Sequence, residues 1–184
     1  MPVALLGLLL LSGCEPVVEP TPTPTGSSSA SGSSTPTPTP TATPEPSQPI
    51  TITCNELVPP QAMYDFNPNF ALQADYTPAA GSLGAEAVAE KGIACSWINL
   101  TSSETIEMSA AHLPEAQLEQ RSNDLVTTSN SVPTYEVEGY FIVEDGVGTA
   151  QAFDSPFWIT ATSTAFFEPG DVAPLMAAAV AALG

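Results

Sequence analysis

The chain is almost without basic residues. Lys91 and Arg121 stand alone against 20 acids, which gives a formal net charge of −18 over 184 residues. Nucleic-acid binding rests on Lys and Arg neutralising phosphates, so a nucleic-acid partner is excluded, and a polybasic membrane patch with it. A single histidine, His112, rules out a multi-histidine metal site. No G-x-S-x-G, P-loop or dinucleotide fingerprint occurs. Long apolar runs are missing too: VALLGLLLL at 3–11 and VAPLMAAAVAAL at 172–183 hold nine and twelve residues. A membrane-spanning helix needs about 20.

The first of those runs ends in Leu11-Ser12-Gly13-Cys14. This tetrapeptide resembles the lipobox of bacterial lipoproteins. Small residues at Ser12 and Gly13 give a signal peptidase access to the bond before Cys14, whose thiol then takes a diacylglyceryl group by thioether formation. The resemblance implies a signal peptide over 1–13 and lipidation at Cys14. Two or more long acyl chains, of the palmitate type, hold such a protein to the membrane at about 0.8 kcal/mol per buried methylene. The n-region is Met1-Pro2 alone, without the Lys or Arg usual in such leaders, as a start further upstream would explain.

Residues 14–49 read as a disordered tether. TPTPT and TPTPTPTATP flank GSSSASGSS, with no aromatic residue among them. Pro runs favour extended polyproline II, whereas Gly/Ser stretches behave as coil, and neither buries enough apolar surface to offset its ordering entropy. Fully extended at about 3.1 Å per residue, 15–48 would reach roughly 105 Å. The threonines also offer acceptors for O-linked sugars.

Residues 50–184 form one domain's worth of chain. Glu15, Glu19 and Glu45 lie outside it, so it carries −15 of the formal charge. Pro59-Pro60 starts a short helix over 60–66, closed by Asn67-Pro68. Asp65-x-Asn67-x-Asn69 mimics the opening of a calcium loop, but Phe70 and Tyr76 occupy the positions that require Gly and Glu. A helix end and turn follow from that. Alternation predicts strands from Phe70 to Tyr76, over 94–99 and over 105–110, with TPAAGSLG as a loop. A weakly apolar surface helix, carrying Leu118, Arg121 and Leu125 on one face, opens at Leu113-Pro114. The strand 135–144 turns at Asp145-Gly146 into a return strand, and a Thr-rich strand follows Ser155-Pro156. Asp171 is the expected cap of a C-terminal helix packed through Leu175, Met176, Val180 and Leu183. The fold class is therefore α+β, a mostly antiparallel sheet with helices on one face.

With Cys14 acylated, Cys54 and Cys95 remain in an oxidising space, so a Cys54–Cys95 disulfide is expected. Glu136 and Glu138 alternate on one predicted strand, about 6.5–7 Å apart at Cα, within the range that glycosidase carboxyls span. A solvated acidic face explains them more simply. His112 beside a helix start reads as a turn residue, although serine and aspartate from elsewhere in the fold could converge on it. Trp97, Trp158, Tyr135 and Tyr140 read as core or sheet-surface residues rather than a sugar platform. No catalytic residue, metal ligand or cofactor is expected.

The elements Cys54-Asn-Glu-Leu57 and Ala94-Cys95-Ser96-Trp97, after a lipobox and a Pro/Thr/Ser tether, resemble a group of small actinobacterial lipoproteins. Their folded domains are of unknown function, and some relatives are thought to be PsbP-like. That resemblance implies an extracytoplasmic lipoprotein with a disulfide and an α+β domain, and it carries no catalytic residue. The expected function is a non-enzymatic, lipid-anchored accessory or ligand-binding lipoprotein on the outer side of the cell membrane. Its partners would be the membrane, through the anchor, and a small ligand or an envelope protein. The alternatives are a carboxylate hydrolase of envelope glycans and an interaction module on an envelope complex. A closed apolar pocket would favour small-ligand binding, two facing acids the hydrolase, and an exposed apolar patch the interaction module. Mass spectrometry of the membrane fraction is expected to find Cys14 as an acylated N-terminus; an unmodified, soluble Cys14 would refute the anchor.

Overall fold

Strand alternation sends neighbouring side chains to opposite faces of a sheet, so a sheet with apolar residues on both faces needs a cover on each. The computed structural model describes residues 45–184; the expected signal peptide, Cys14 and the expected tether as far as residue 44 lie outside them. Helices α1 (Cys54–Leu57) and α2 (Pro60–Phe66) precede strand β1 (Phe70–Leu72). Helix α3 (Leu83–Ala89), the hairpin β2 (Ile93–Asn99) and β3 (Thr105–His112), and helix α4 (Glu115–Val126) follow. Then come β4 (Asn130–Ser131), a 3-10 turn at Pro133–Tyr135, and β5 (Glu138–Glu144), β6 (Val147–Asp154) and β7 (Phe157–Ser163). Helix α5 (Pro169–Leu183) ends the chain. The strands form one antiparallel sheet in the order β1-β2-β3-β7-β6-β5-β4. The α+β class and its antiparallel sheet are as the sequence implied.

One face carries the larger core. Ile106, Met108, Ile159 and Phe166 pack there with Leu57, Val58 and Met63 from the two N-terminal helices. Val172, Leu175, Met176 and Ala179 of α5 follow the i, i+3, i+4, i+7 spacing of a buried helical stripe and are all fully buried. Ala110, Ala150, Ala152 and Ala161 line this same core, and their small side chains leave room for the helix. Glycine is required at Gly148, where a Cβ would come within 2.2 Å of the Phe166 carbonyl oxygen. Asp171 is not the cap of α5. Glu168 holds that position, and the Asp171 carboxylate reaches back from the first turn to accept the backbone N–H groups of Phe167 (2.7 Å) and Glu168 (3.0 Å).

The opposite face also has a cover, so the helices lie on both faces rather than on one. There Ala111, Tyr140, Phe153 and Trp158 pack with Leu118 and Leu125 of α4 and with Leu83 and Ala87 of α3. Helix α3 occupies part of the chain read as a loop, with the Ser82 hydroxyl accepting the Ala85 N–H (3.2 Å) as its N-cap. Further differences are local. The strand that begins at Phe70 stops at Leu72, so Tyr76 lies in the loop before α3. Strand β5 starts at Glu138, because Pro133–Tyr135 is a 3-10 turn and Glu136 is left-handed at φ 63°. The Asp145-Gly146 hairpin forms as expected, with both residues at positive φ (50° and 79°), as a type I′ turn requires.

Cys54 and Cys95 are joined, with Cα atoms 5.6 Å apart, and tie α1 to β2 across a sequence separation of 41. In the chain-entropy model a loop of that length contributes about 4 kcal/mol. Replacing both cysteines by serine should therefore lower the unfolding free energy by about 4 kcal/mol in denaturant titrations. An unchanged midpoint would show that the bond carries no stability.

Candidate functional site

The second face is not apolar throughout, and its polar part is where a site can form. The register places Ser96, Glu107, Thr162 and Thr149 side by side across β2, β3, β7 and β6. The next row of the same face reads Ala94, Ser109, Thr160 and Gln151. Neighbouring strands lie about 4.8 Å apart, so these side chains form a continuous polar floor. The loop that starts at Tyr76 and the first turn of α3, at Leu83 and Gly84, wall it and leave an open cleft of about 230 Å³.

Much of this polarity is already engaged. The buried hydroxyls of Ser109 and Thr160 share a hydrogen bond of 2.7 Å. Ser96 donates to Gln73 Oε1 (2.7 Å), and Trp158 Nε1 donates to Gln151 Oε1 (2.9 Å). Glu107, Thr149 and Thr162 line the cleft half-buried. The Tyr76 hydroxyl is the exception, since its oxygen is buried and has no hydrogen-bond partner among the described residues. Buried polar atoms are nearly always paired, so an unpaired one needs an explanation. Burial in the first place, and the neighbouring Glu107 carboxylate in the second, push the Tyr76 phenol pKa well above its ordinary value. Glu107 is the acceptor beside that hydroxyl.

Helices α3 and α4 are tied across this face. The Arg121 guanidinium lies 4.0 Å above the Trp158 ring and donates to Glu86 of α3 at 2.8 Å. Both ion-pair partners are part-exposed, so the pair contributes well under about 1 kcal/mol and chiefly fixes geometry.

The other candidates are scattered. Glu136 and Glu138 do not share a strand face, because Glu136 sits in the left-handed turn before β5. Glu138 accepts the Tyr140 hydroxyl at 2.8 Å. The carboxylate-pair geometry expected from alternation is therefore absent. His112 ends β3, with its ring edge-on to Phe157 at 5.4 Å. Its Nδ1 is buried without a hydrogen bond, so no serine or aspartate is paired to that nitrogen. Trp97, Trp158, Tyr135 and Tyr140 are all buried. No group of three His, Cys, Asp or Glu residues able to hold a metal occurs among the described residues.

The cleft is neither a closed apolar pocket nor a pair of facing acids. It is open, its lining mixes apolar side chains with hydroxyls, and Glu107 is its one carboxylate. Its lining brings the Glu107 carboxylate together with the Tyr76 phenol and the hydroxyls of Thr149 and Thr162. Residue spacing pointed elsewhere because Tyr76 meets Glu107 only through the folded loop. The one local hint was the Thr-rich strand after Ser155-Pro156. No family model matches the chain, and no curated protein or solved structure matches it.

Burial also raises the pKa of the Tyr135 and Tyr140 phenols, aided at Tyr140 by Glu138. A folded-state pKa raised above the unfolded value of about 10 gives stability that is complete below pH 10 and lost as pH rises toward the folded pKa. Denaturant midpoints are thus expected to be flat from pH 7 to 9 and to fall from about pH 10 upward. In a Tyr64→Phe background, which removes the one exposed tyrosine, absorbance near 295 nm should show the three phenols ionising only on unfolding; ionisation in the folded protein near pH 10 would contradict their burial.

Proposed function

We propose that the chain is a lipid-anchored, extracytoplasmic binding lipoprotein without catalysis of its own. Its folded domain takes a small polar ligand in the cleft over β3, β7 and β6. The observation that supports this reading is the open cleft itself, lined by Glu107, Thr149 and Thr162. At about 230 Å³ the cleft falls below the usual range for drug-sized ligands, which sets the size class.

The anchor and tether support the location. Acylation at Cys14 would fix the chain to the outer side of the cytoplasmic membrane, with the residues between Cys14 and Ser47, where the chain joins the domain, spacing it from the bilayer. A domain carrying −15 would be repelled by anionic headgroups, so it would stand off the bilayer rather than lie on it.

Native mass spectrometry of the protein purified from its own host tests the reading. A bound mass should leave on unfolding and be absent from Thr162→Trp, whose larger side chain fills the cleft. No such mass, or one that Thr162→Trp retains, would overturn it.

A further inference from the structure

We propose that the end of the sheet farthest from the tether docks a protein whose contact face is apolar at its centre and basic at its rim. This goes beyond the cleft and uses a different part of the fold. The strand register sorts the loops into two ends. Gln48 bridges to His112, so the chain enters the domain where β3 finishes. Strand β3 is eight residues long, which puts its start at Thr105 about 23 Å from that point. The pairings bring Asn99 of β2, Ser163 of β7, Val147 of β6 and Glu144 of β5 to the same far end.

Three of the six exposed large apolar residues are there: Leu100 and Phe167, each 74% exposed, and Val143. Other apolar groups join them. The Leu100 N–H donates to the Asn69 carbonyl, next to Phe70. Phe66 packs on Phe70 at 6.0 Å and edge-on to Phe166 at 6.4 Å. Phe166 closes over Gly148, the cross-strand partner of Val143. Single exposed apolar side chains are ordinary, but a cluster of them marks an interaction site.

Charge selects the partner. Glu144, Asp145 and Glu168 are exposed at this end, and Glu104 is half-buried. Both cations of the chain lie toward the tether end. Lys91 bonds Ser47, and Arg121 covers Trp158, which pairs with Ala111 beside His112. A second copy would set these acids against its own, and an anionic bilayer would repel them. A basic protein surface suits them, with Phe167 and Leu100 as anchors in apolar hollows and the carboxylates steering the approach. With the lipid anchor proposed above, entry of the tether at the opposite end leaves this end clear of the bilayer.

The test uses the full lipidated chain in host membranes, with a photo-reactive phenylalanine analogue at position 167, at position 100, or at position 126 on α4 as the control. Positions 167 and 100 are expected to capture one and the same protein, which position 126 does not. That protein, identified by mass spectrometry and purified, is then titrated with the parent chain. Phe167→Ser and Leu100→Ser should each weaken binding at least tenfold. Added salt should weaken binding of the parent, and weaken it less in the double variant Glu144→Gln, Asp145→Asn. All four side chains are exposed, so the fold is not at risk. Capture of another copy of this chain, cross-links to lipid alone, equal capture at position 126 or no capture would each overturn the proposal. Binding that salt or the serine variants leave unchanged overturns it too. Loss of binding in Thr162→Trp, which fills the cleft and leaves this end untouched, would put the partner over the cleft and overturn it as well.

Discussion

A seven-stranded antiparallel sheet has two faces, and each needs a cover wherever its side chains are apolar. The rest of this structure depends on how unequally the two are covered. Helix α5 and the N-terminal helices cover one face, where Leu175, Met176, Ile106 and Ile159 are all fully buried. The other face is covered by α3 and α4 around Trp158, Phe153 and Tyr140. Beyond that patch the strands carry Glu107, Thr149, Thr160 and Thr162. A polar floor is what allows a gap in the cover: side chains that can bond to water or to a ligand do not force another helix down upon them. The cleft is thus a consequence of strand composition.

The register adds a second level of control. Ser109 opposes Thr160, and their hydroxyls satisfy each other. One row away, Glu107 opposes Thr162, which in turn opposes Thr149, and these three line the cleft. A slip of one residue in the pairing of β3 with β7 would exchange the faces of every side chain on the shifted strand. Met108 would then meet the cleft and Glu107 the apolar core. The buried apolar partners on the first face therefore hold the polar row in place on the second.

Much of this was legible in the chain and some was not, for physical reasons. The helix over 60–66 and the turn at Asp145-Gly146 are set by Pro and Gly, whose backbone limits are local, and both occur where expected. The joining of Cys54 to Cys95 followed from cysteine number and compartment rather than from shape. Helix α3 is short and rich in Ala and Gly, so it has almost no apolar periodicity to betray it. What stabilises it is its seat against β2 and β3, where Gly84 comes close to Ala94. Glu136 follows the alternation of β5 by residue type, yet the chain leaves the strand there, because Pro133 and the buried Tyr135 ring, packed against Gly139, impose a tight turn. Tyr76 lay furthest from view. It is one aromatic in a loop, and its significance comes from a carboxylate on a strand thirty-one positions later.

Both cations of the chain act at α3. Arg121 holds Glu86 in the helix. Lys91 follows its C-terminus at a left-handed φ of 63° and donates from Nζ to the Ser47 carbonyl at 3.2 Å. Ser47 in turn donates its hydroxyl to Glu90, and Gln48 N–H bonds to the His112 carbonyl at 3.2 Å. The last residues before position 50 are thus bound to the end of the helix whose start borders the cleft. In a chain of net charge −18, a cation placed anywhere finds acids nearby, so the placement of both at one short helix is informative. Helix α3 is seven residues long, with little propensity or apolar stripe to hold it, and isolated helices of that length are unstable. Without the two cationic ties and the packing of Leu83 and Ala87, the wall beside the polar floor would have little to keep it formed. Packing holds α3, and the chain's two cations fix where it lies.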